Sequence, residues 1–571
     1  MTRLVRLPRR LLGDVPRSGW RHPLLLGAVA VAVILLVEGF ALRDPFEPAP
    51  RDIDASVKRA QTLGLAESGL RSQALPYRAR YLDPQHWYLP FVKPFVMRTR
   101  TGMQSIFPTA AAMVDVPAEW LGGQAALRAV STASTILAVV LTLHLLRGRP
   151  DMLAPAILVF ATPLWFYALG GTSHPVGLVL ATAAVFAAID GRRALAAGLL
   201  LGLASTIRDE TLALAPGLFL LYAWRWRTLR PLAALLAGIA IPVALMALVD
   251  QQVYGRPAAA HLMHAIRGTL FPDAPTGAMA VLDSMSWRER LDVVVVYWLD
   301  GRSLTHAAVL SASVAFAAVV RIRTGSFWGA LPALGLVLAD TAADCVLMVQ
   351  APKRLPGLLR LAPFLVFAVL PHADAPPEQT RRRVSALLLS AAFVLVAVAT
   401  TNTSGGKPLG PRLLLPIWPM IAAVAWHGVR GHALAGRRAW PQRLLAAGGA
   451  ALVLAGVFIN TVTLMPMYRA VDAESLDAAR YLAGTAEEVI IVGSPFAIDP
   501  VIAVYPSRSV MLATSAADAA DIARRLEHGR VRRFLFVRRN DREDLAAEFP
   551  AFDAGEETAF GRWVVQHWVS R

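Results

Sequence analysis

Thirteen apolar stretches constrain this chain more than any other feature. They fall at 23–42, 124–146, 152–171, 175–190, 194–208, 210–224, 231–249, 302–320, 326–348, 357–371, 384–401, 413–429 and 443–465. A helix needs about 20 apolar residues to cross a bilayer. Backbone polar groups find no water inside lipid, so such stretches must satisfy themselves as helices. The expected fold is therefore mainly α, a polytopic membrane protein with about 13 transmembrane helices, the shortest being 194–208 and 357–371. Composition agrees: only 17% of the 571 residues are charged, against roughly 25% in soluble domains. Mean hydropathy is +0.48. A soluble globular enzyme and a disordered chain are excluded. The single cysteine, Cys345, excludes an intramolecular disulfide and a Cys-rich metal site.

A net charge of +17 could suggest nucleic acid, but its distribution argues otherwise. Basic groups cluster at Arg3 to Arg21, Arg147 and Arg149, Arg192 and Arg193, Arg225 to Arg230, Arg321 and Arg323, Arg381 to Arg383, and Arg430 to Arg443. Every second loop is basic, as the positive-inside rule requires. The charge therefore reads as topology, and no nucleic-acid partner is expected. The N-terminus reads as cytoplasmic, and an odd number of spans puts the C-terminus outside. The first apolar stretch follows basic residues as a signal peptide would, but Glu38 and Phe40 make a poor cleavage site. It reads as an uncleaved first span.

Three regions follow: a basic cytoplasmic segment 1–22, a transmembrane domain 23–468 with outer-loop surface helices in 43–123, and an extracytoplasmic domain 469–571. The last region changes character. Helices are expected at Ala473–Gly484 and Ala516–His528, with strands at Glu488–Gly493, Ser509–Ala513 and Arg533–Val537. That alternation predicts a small α/β domain. Gly493 follows a strand, but no nucleotide-loop spacing follows it, so it reads as a turn residue.

Several constellations could carry chemistry. Ile53, Val57, Ala60 and Leu63 recur at helical spacing, predicting an amphipathic helix on the outer membrane surface. Asp52 and Asp54 open it. They are about 200° apart on a helix and cannot share a face; one could face a cavity, or both could cap the helix. Gly102 to Pro108 and the apolar run to Pro117 and Gly122-Gly123 read as a re-entrant or surface helix. His174-Pro175 and Arg208-Asp209-Glu210 reach the outer mouth of two spans, where they could face water or form tight turns. Asp340 and Asp344 share a face of one span and could be an ion path or pair with arginines. Lys353, Arg354, Lys407 and Arg412 are outside cations that suit a phosphate headgroup or lipid anchoring. All four lysines, Lys58, Lys93, Lys353 and Lys407, fall in outside segments.

Together these pieces resemble the GT-C glycosyltransferases, polytopic enzymes that use polyprenyl-phosphate-linked sugars at the outer face; protein O-mannosyltransferases and lipid A aminoarabinose transferases belong to them. Such chains open the first outer loop with an acidic pair, followed by a surface helix with Ala eight residues on and Leu eleven on. Asp52, Ala60 and Leu63 match; the second acidic position holds Ile53, with Asp54 nearby, and the usual aromatic is Ser56. Gly102 to Gly123, Thr162-Pro163 to His174-Pro175, and Gly202 to Arg208 resemble further family elements, with His174 where an acid is common. Gly405-Gly-Lys-Pro-Leu-Gly-Pro-Arg412 through Pro416 resembles the family's Gly-Gly…Gly-Pro-Arg stretch and is the most specific match.

The resemblance implies sugar transfer from a polyprenyl-phosphate-linked donor to a hydroxyl of a glycan, lipid or protein, in a bacterial-type inner membrane. It implies that Asp52 or Asp54 is the catalytic base. It implies that His174, Arg208, Lys353, Arg354, Lys407 and Arg412 bind substrate. A divalent cation serves some of these enzymes and not others, and no metal ligands are assigned. Two other readings stand beside it: a transporter or flippase using Asp340 and Asp344, and a non-catalytic scaffold of the same fold.

Overall fold

Helices or pairs of short helices lie over all thirteen apolar stretches. The computed structural model describes residues 21–41, 53–91, 95–99, 102–146, 151–170, 173–189, 193–226, 229–255, 288, 304–324, 328, 330–350, 357–370, 376–400, 412–435, 440–540 and 549–571. Among these, Thr109–Leu145, Leu229–Tyr254, Leu413–His432 and Trp440–Val462 are long and apolar enough to cross a membrane. Shorter apolar helices accompany them, and the chain is a multi-pass membrane protein.

The chain begins with α1 (Arg21–Ala41) and α2 (Ile53–Glu67), then a hairpin of β1 (Val96–Thr99) and β2 (Gly102–Ser105). Helix α3 (Thr109–Leu145) follows, then α4 (Ala154–Phe160), α5 (Leu164–Leu169), α6 (His174–Ile189), α7 (Ala194–Ile207), α8 (Ala215–Trp226) and α9 (Leu229–Tyr254). The remaining membrane-region helices are α10 (Leu304–Thr324), α11 (Ala330–Gln350), α12 (Leu358–Leu361), α13 (Pro377–Thr400) and α14 (Trp418–Ala435). Helix α15 (Trp440–Gly484) runs unbroken through position 469, roughly 67 Å at 1.5 Å per residue.

Two of the expected spans that are divided break at a proline. The stretch 152–171 breaks between α4 and α5 at Thr162-Pro163. The Thr162 hydroxyl donates to the Leu158 carbonyl (2.6 Å) and accepts from the Leu164 amide (3.2 Å), replacing helix bonds lost there. The stretch 357–371 is the single turn α12 followed by a 3₁₀ segment, Pro363–Ala368, every residue of which is buried. Irregular backbone of this kind is tolerated at membrane depth where protein surrounds it. Helix α3 is also two pieces in effect: Gly122 and Gly123 leave helical geometry, Gly123 at φ 57°, separating the segment before them from the apolar run after. The β1–β2 hairpin was not expected from sequence.

Small residues set the tightest helix contact. A Cβ on Gly198 of α7 would lie 2.3 Å from the Leu235 carbonyl of α9, and one on Gly238 would lie 2.5 Å from the Leu195 carbonyl. Bare backbones therefore meet, a common way to pack helices in lipid.

The C-terminal region follows α15 with β3 (Val489–Val492), the short α16 (Ile498–Val501), β4 (Ser509–Leu512), α17 (Ala516–His528), β5 (Arg533–Arg539), β6 (Phe552–Phe560) and β7 (Trp563–Ser570). The sheet order is β4-β3-β5-β7-β6. Strands β3, β4 and β5 are parallel; β7 pairs antiparallel with β5 and β6. The last two strands were not anticipated. Ser515 caps α17, its hydroxyl accepting from the Asp518 amide (3.1 Å).

Helix α2 corrects a surface expectation. Its apolar residues Val57 and Ala60 do not face lipid: they join Leu482, Ile490, Ile498, Val501 and Trp563 in one buried cluster. Leu65 packs instead with Ala112 and Val116 of α3.

Asp344 of α11 is buried and ion-paired to buried Arg360 of α12, whose Nε donates to Oδ2 at 2.8 Å while Nη2 donates to Oδ1. Removing one partner strands a buried charge. Asp344→Ala should lower stability by about 3 kcal/mol or more. Asp344→Leu with Arg360→Met should recover most of the loss. Denaturant unfolding in detergent measures both.

Candidate active site

Helix α2 is held from two sides near its first turns. On one side, Arg59 forms a two-pronged ion pair with Glu119 of α3; Nη2 donates to Oε1 at 2.8 Å and Nη1 to Oε2. The neighbouring Lys58 ammonium lies over the Phe107 ring, 4.4 Å from its centre. On the other side, buried Ser56 donates its hydroxyl to Asp499 of α16 at 3.5 Å. Asp52 lies outside the described residues. Asp54 falls in the first turn of α2, and its side chain is outside the described part.

Asp115 completes the charged group on α3, one turn before Glu119. Its carboxyl lies among the charges of Lys58, Arg59 and Glu119. This carboxylate was missed from sequence. The available signal was the i, i+4 pair Asp115 and Glu119 in a helix otherwise poor in charge, facing Lys58-Arg59.

A second group gathers at the start of α6. His174 is buried at its first position, its ring 5.6 Å from that of Tyr167, which itself lies 6.0 Å from Trp418. Arg208 leaves α7 in extended conformation and lays its stem against Gly177, one turn beyond His174; a Cβ there would come within 2.7 Å of Arg208 Cγ. The Arg208 guanidinium donates to Glu210 Oε1 from Nε (2.8 Å) and Nη2 (2.6 Å). The 3₁₀ segment Arg412–Ile417 packs against α6 and against the turn Asp209–Leu214. The fold thus brings His174 and Arg208 to one helix turn, 34 residues apart in sequence, with the segment Arg412–Ile417 packed on the same helix. The Arg412 side chain is outside the described part, and Lys353, Arg354 and Lys407 lie outside the described residues.

Among the described residues, no group of three or more His, Cys, Asp or Glu could hold a metal ion.

The polar segment after α2 is clamped to the C-terminal sheet. Asp83, fully buried, accepts from the Tyr77 hydroxyl and the Tyr88 amide, each at 2.8 Å, and pairs with Arg525 of α17 at 3.5 Å. Burial, then the Asp83 charge, raises the Tyr77 phenol far above its usual range, so it stays a donor. The Tyr88 hydroxyl donates to Asp521 (2.7 Å), and that bond, with those from Arg525 and Arg524, holds the Asp521 carboxyl well below its usual range.

The architecture is that of a helical membrane protein with an α/β C-terminal domain packed on its first polar loop. The sequence matches no family model and no curated protein. Its structure is similar to the crystal structure of ArnT from Cupriavidus metallidurans bound to undecaprenyl phosphate: TM-score 0.47, 14% identity, 95% of this chain and 97% of that one. The apo form of that protein gives a TM-score of 0.46 at the same identity and coverage. It is also similar to the archaeal oligosaccharyltransferase AglB from Archaeoglobus fulgidus, in complex with an inhibitory peptide and a dolichol-phosphate: TM-score 0.37, 12% identity, 89% of this chain and 69% of that one.

Proposed function

We propose that this protein is a GT-C-type membrane glycosyltransferase that moves a sugar from a polyprenyl-phosphate carrier to an acceptor hydroxyl at the extracytoplasmic face. The observation that carries the reading is the setting of α2. A helix with Asp54 in its first turn is anchored by an ion pair to a neighbouring helix and by a buried hydrogen bond to the C-terminal domain. Such anchoring is what a reactive carboxylate needs, because catalysis depends on fixed geometry. The motif stretches around Asp52, Gly102, His174, Arg208 and Arg412 support the same assignment.

In this reading the acceptor oxygen attacks the anomeric carbon. The bond from that carbon to the carrier phosphate breaks, and the polyprenyl phosphate leaves with the electron pair. Asp52 or Asp54 takes the acceptor's proton. Arg208, Arg412, Lys353, Arg354 and Lys407 are the cations that would hold the phosphate, with His174 beside Arg208. Arg208 already shares its guanidinium with Glu210, so it would contact phosphate through donors that Glu210 does not occupy. The family expectation is inversion at the sugar carbon. The C-terminal domain is extracytoplasmic and the N-terminus cytoplasmic, with the protein in a bacterial-type inner membrane. The ion pair of Asp344 with Arg360 weighs against the transporter reading, which needs that carboxylate for an ion path.

The test uses the purified full chain in proteoliposomes with polyprenyl-phosphate-linked hexose and pentose donors, following release of carrier phosphate. Wild type should turn over one class. Either Asp52→Asn or Asp54→Asn should slow it by about 10²–10⁴-fold, the usual worth of a general base. Full activity in both variants would overturn the base assignment.

A further inference from the structure

Asp499 is a buried carboxylate that the family pattern around α2 does not include. It lies on α16, all four residues of which are buried, in the connection between parallel strands β3 and β4. Connections at the carboxyl ends of parallel strands are where α/β sheets habitually place functional side chains. This one meets another element: Asp499 Oδ1 accepts at 3.5 Å from the hydroxyl of Ser56, a residue with no exposed surface. On either side of that bond, Ile498 and Val501 share a buried cluster with Val57 and Ala60. A polar contact thus sits inside an apolar seam between the C-terminal domain and the first turns of α2. A short side chain at position 56 lets the carboxylate approach the helix.

Apolar contact fixes such a seam only loosely, since Val and Ala can slide or rotate by small amounts at little cost. A hydrogen bond is directional and, when buried, costly to leave unmade. We infer that Asp499 is a positioning residue: through Ser56, the C-terminal domain sets the rotation and depth of the first turn of α2. Because Ser56 follows Asp54 by two residues in the same helical turn, fixing it fixes the backbone that carries Asp54. The catalytic consequence rests on the transferase reading above; the mechanical one does not.

The experiment compares wild type, Asp499→Ala, Asp499→Asn and Ser56→Ala as full chains in nanodiscs, by two readouts. Amide hydrogen exchange reports residues 53–60 against the sheet strands 489–492 and 533–539. Ser56→Ala should speed exchange in 53–60 by about two- to tenfold, the effect of losing one buried hydrogen bond, and Asp499→Ala by at least as much, with the strands unchanged. Asp499→Asn retains an acceptor oxygen and should stay near wild type. Unchanged exchange at 53–60 overturns the inference, and so does exchange rising equally in the strands, which would mark a general loosening of the domain. The second readout is kinetic. Asp499→Ala should lower kcat about 10- to 100-fold, the scale of a small misplacement of reacting groups, with the KM for the lipid-linked donor within about twofold. A kcat equal to that of wild type overturns the catalytic role. If wild type transfers no sugar while Asp499→Ala still loosens α2, the transferase reading fails and the positioning role stands.

Discussion

The buried carboxylate of Asp83 is the interaction on which the arrangement of polar loop and C-terminal domain depends. It gathers a phenol and an amide from its own loop and a guanidinium from α17, and it has no contact with water. A buried charge persists only where such partners surround it. Around it the ring faces of Trp87 and Tyr88 lie 5.3 and 5.2 Å from the Arg525 guanidinium. Tyr505 bonds the Pro76 carbonyl, and Arg78 bonds the Pro506 carbonyl. The loop that follows α2 is therefore part of the C-terminal domain's surface, though some 400 residues separate them in the chain.

That docking explains why α2 behaves as an internal element. Its apolar face is covered by residues from α15, β3 and α16, and its opposite side is tied to α3 by charge. Helix α15 makes the link continuous: one unbroken helix carries the chain from the membrane region to Leu482 in the same cluster as Val57. Motion of the domain relative to the membrane helices would have to bend that helix or strip the cover from α2.

Inside the helical region the decisive contacts are small or paired. Gly198 and Gly238 let α7 and α9 touch backbone to backbone, and Asp344 finds Arg360 one element away. The carboxylates of α11 looked from sequence like either an ion path or a structural pair. For Asp344 the choice falls to Arg360, because the Pro363 break turns α12 into a short buried turn that presents its arginine inward. A continuous helix over 357–371 would have placed that residue differently.

The helices over the apolar stretches, the helix over Ala516–His528 and the three parallel strands were legible in the chain, because hydrophobic periodicity and length are local properties of a sequence. The kink at Gly122-Gly123 is equally local, set by residues that leave helical geometry, whereas 152–171 reads from sequence as one span and its break at Thr162-Pro163 was not anticipated. What only the tertiary structure decided is which surfaces meet. An apolar stripe such as Val57 and Ala60 favours burial without saying whether lipid or protein will cover it, since both are equally free of water. Ser56 against Asp499, Lys58 and Arg59 beside Asp115, and Arg208 against Gly177 are meetings of residues distant in sequence. Their spacing carries no periodic signal, and only packing in three dimensions brings them together.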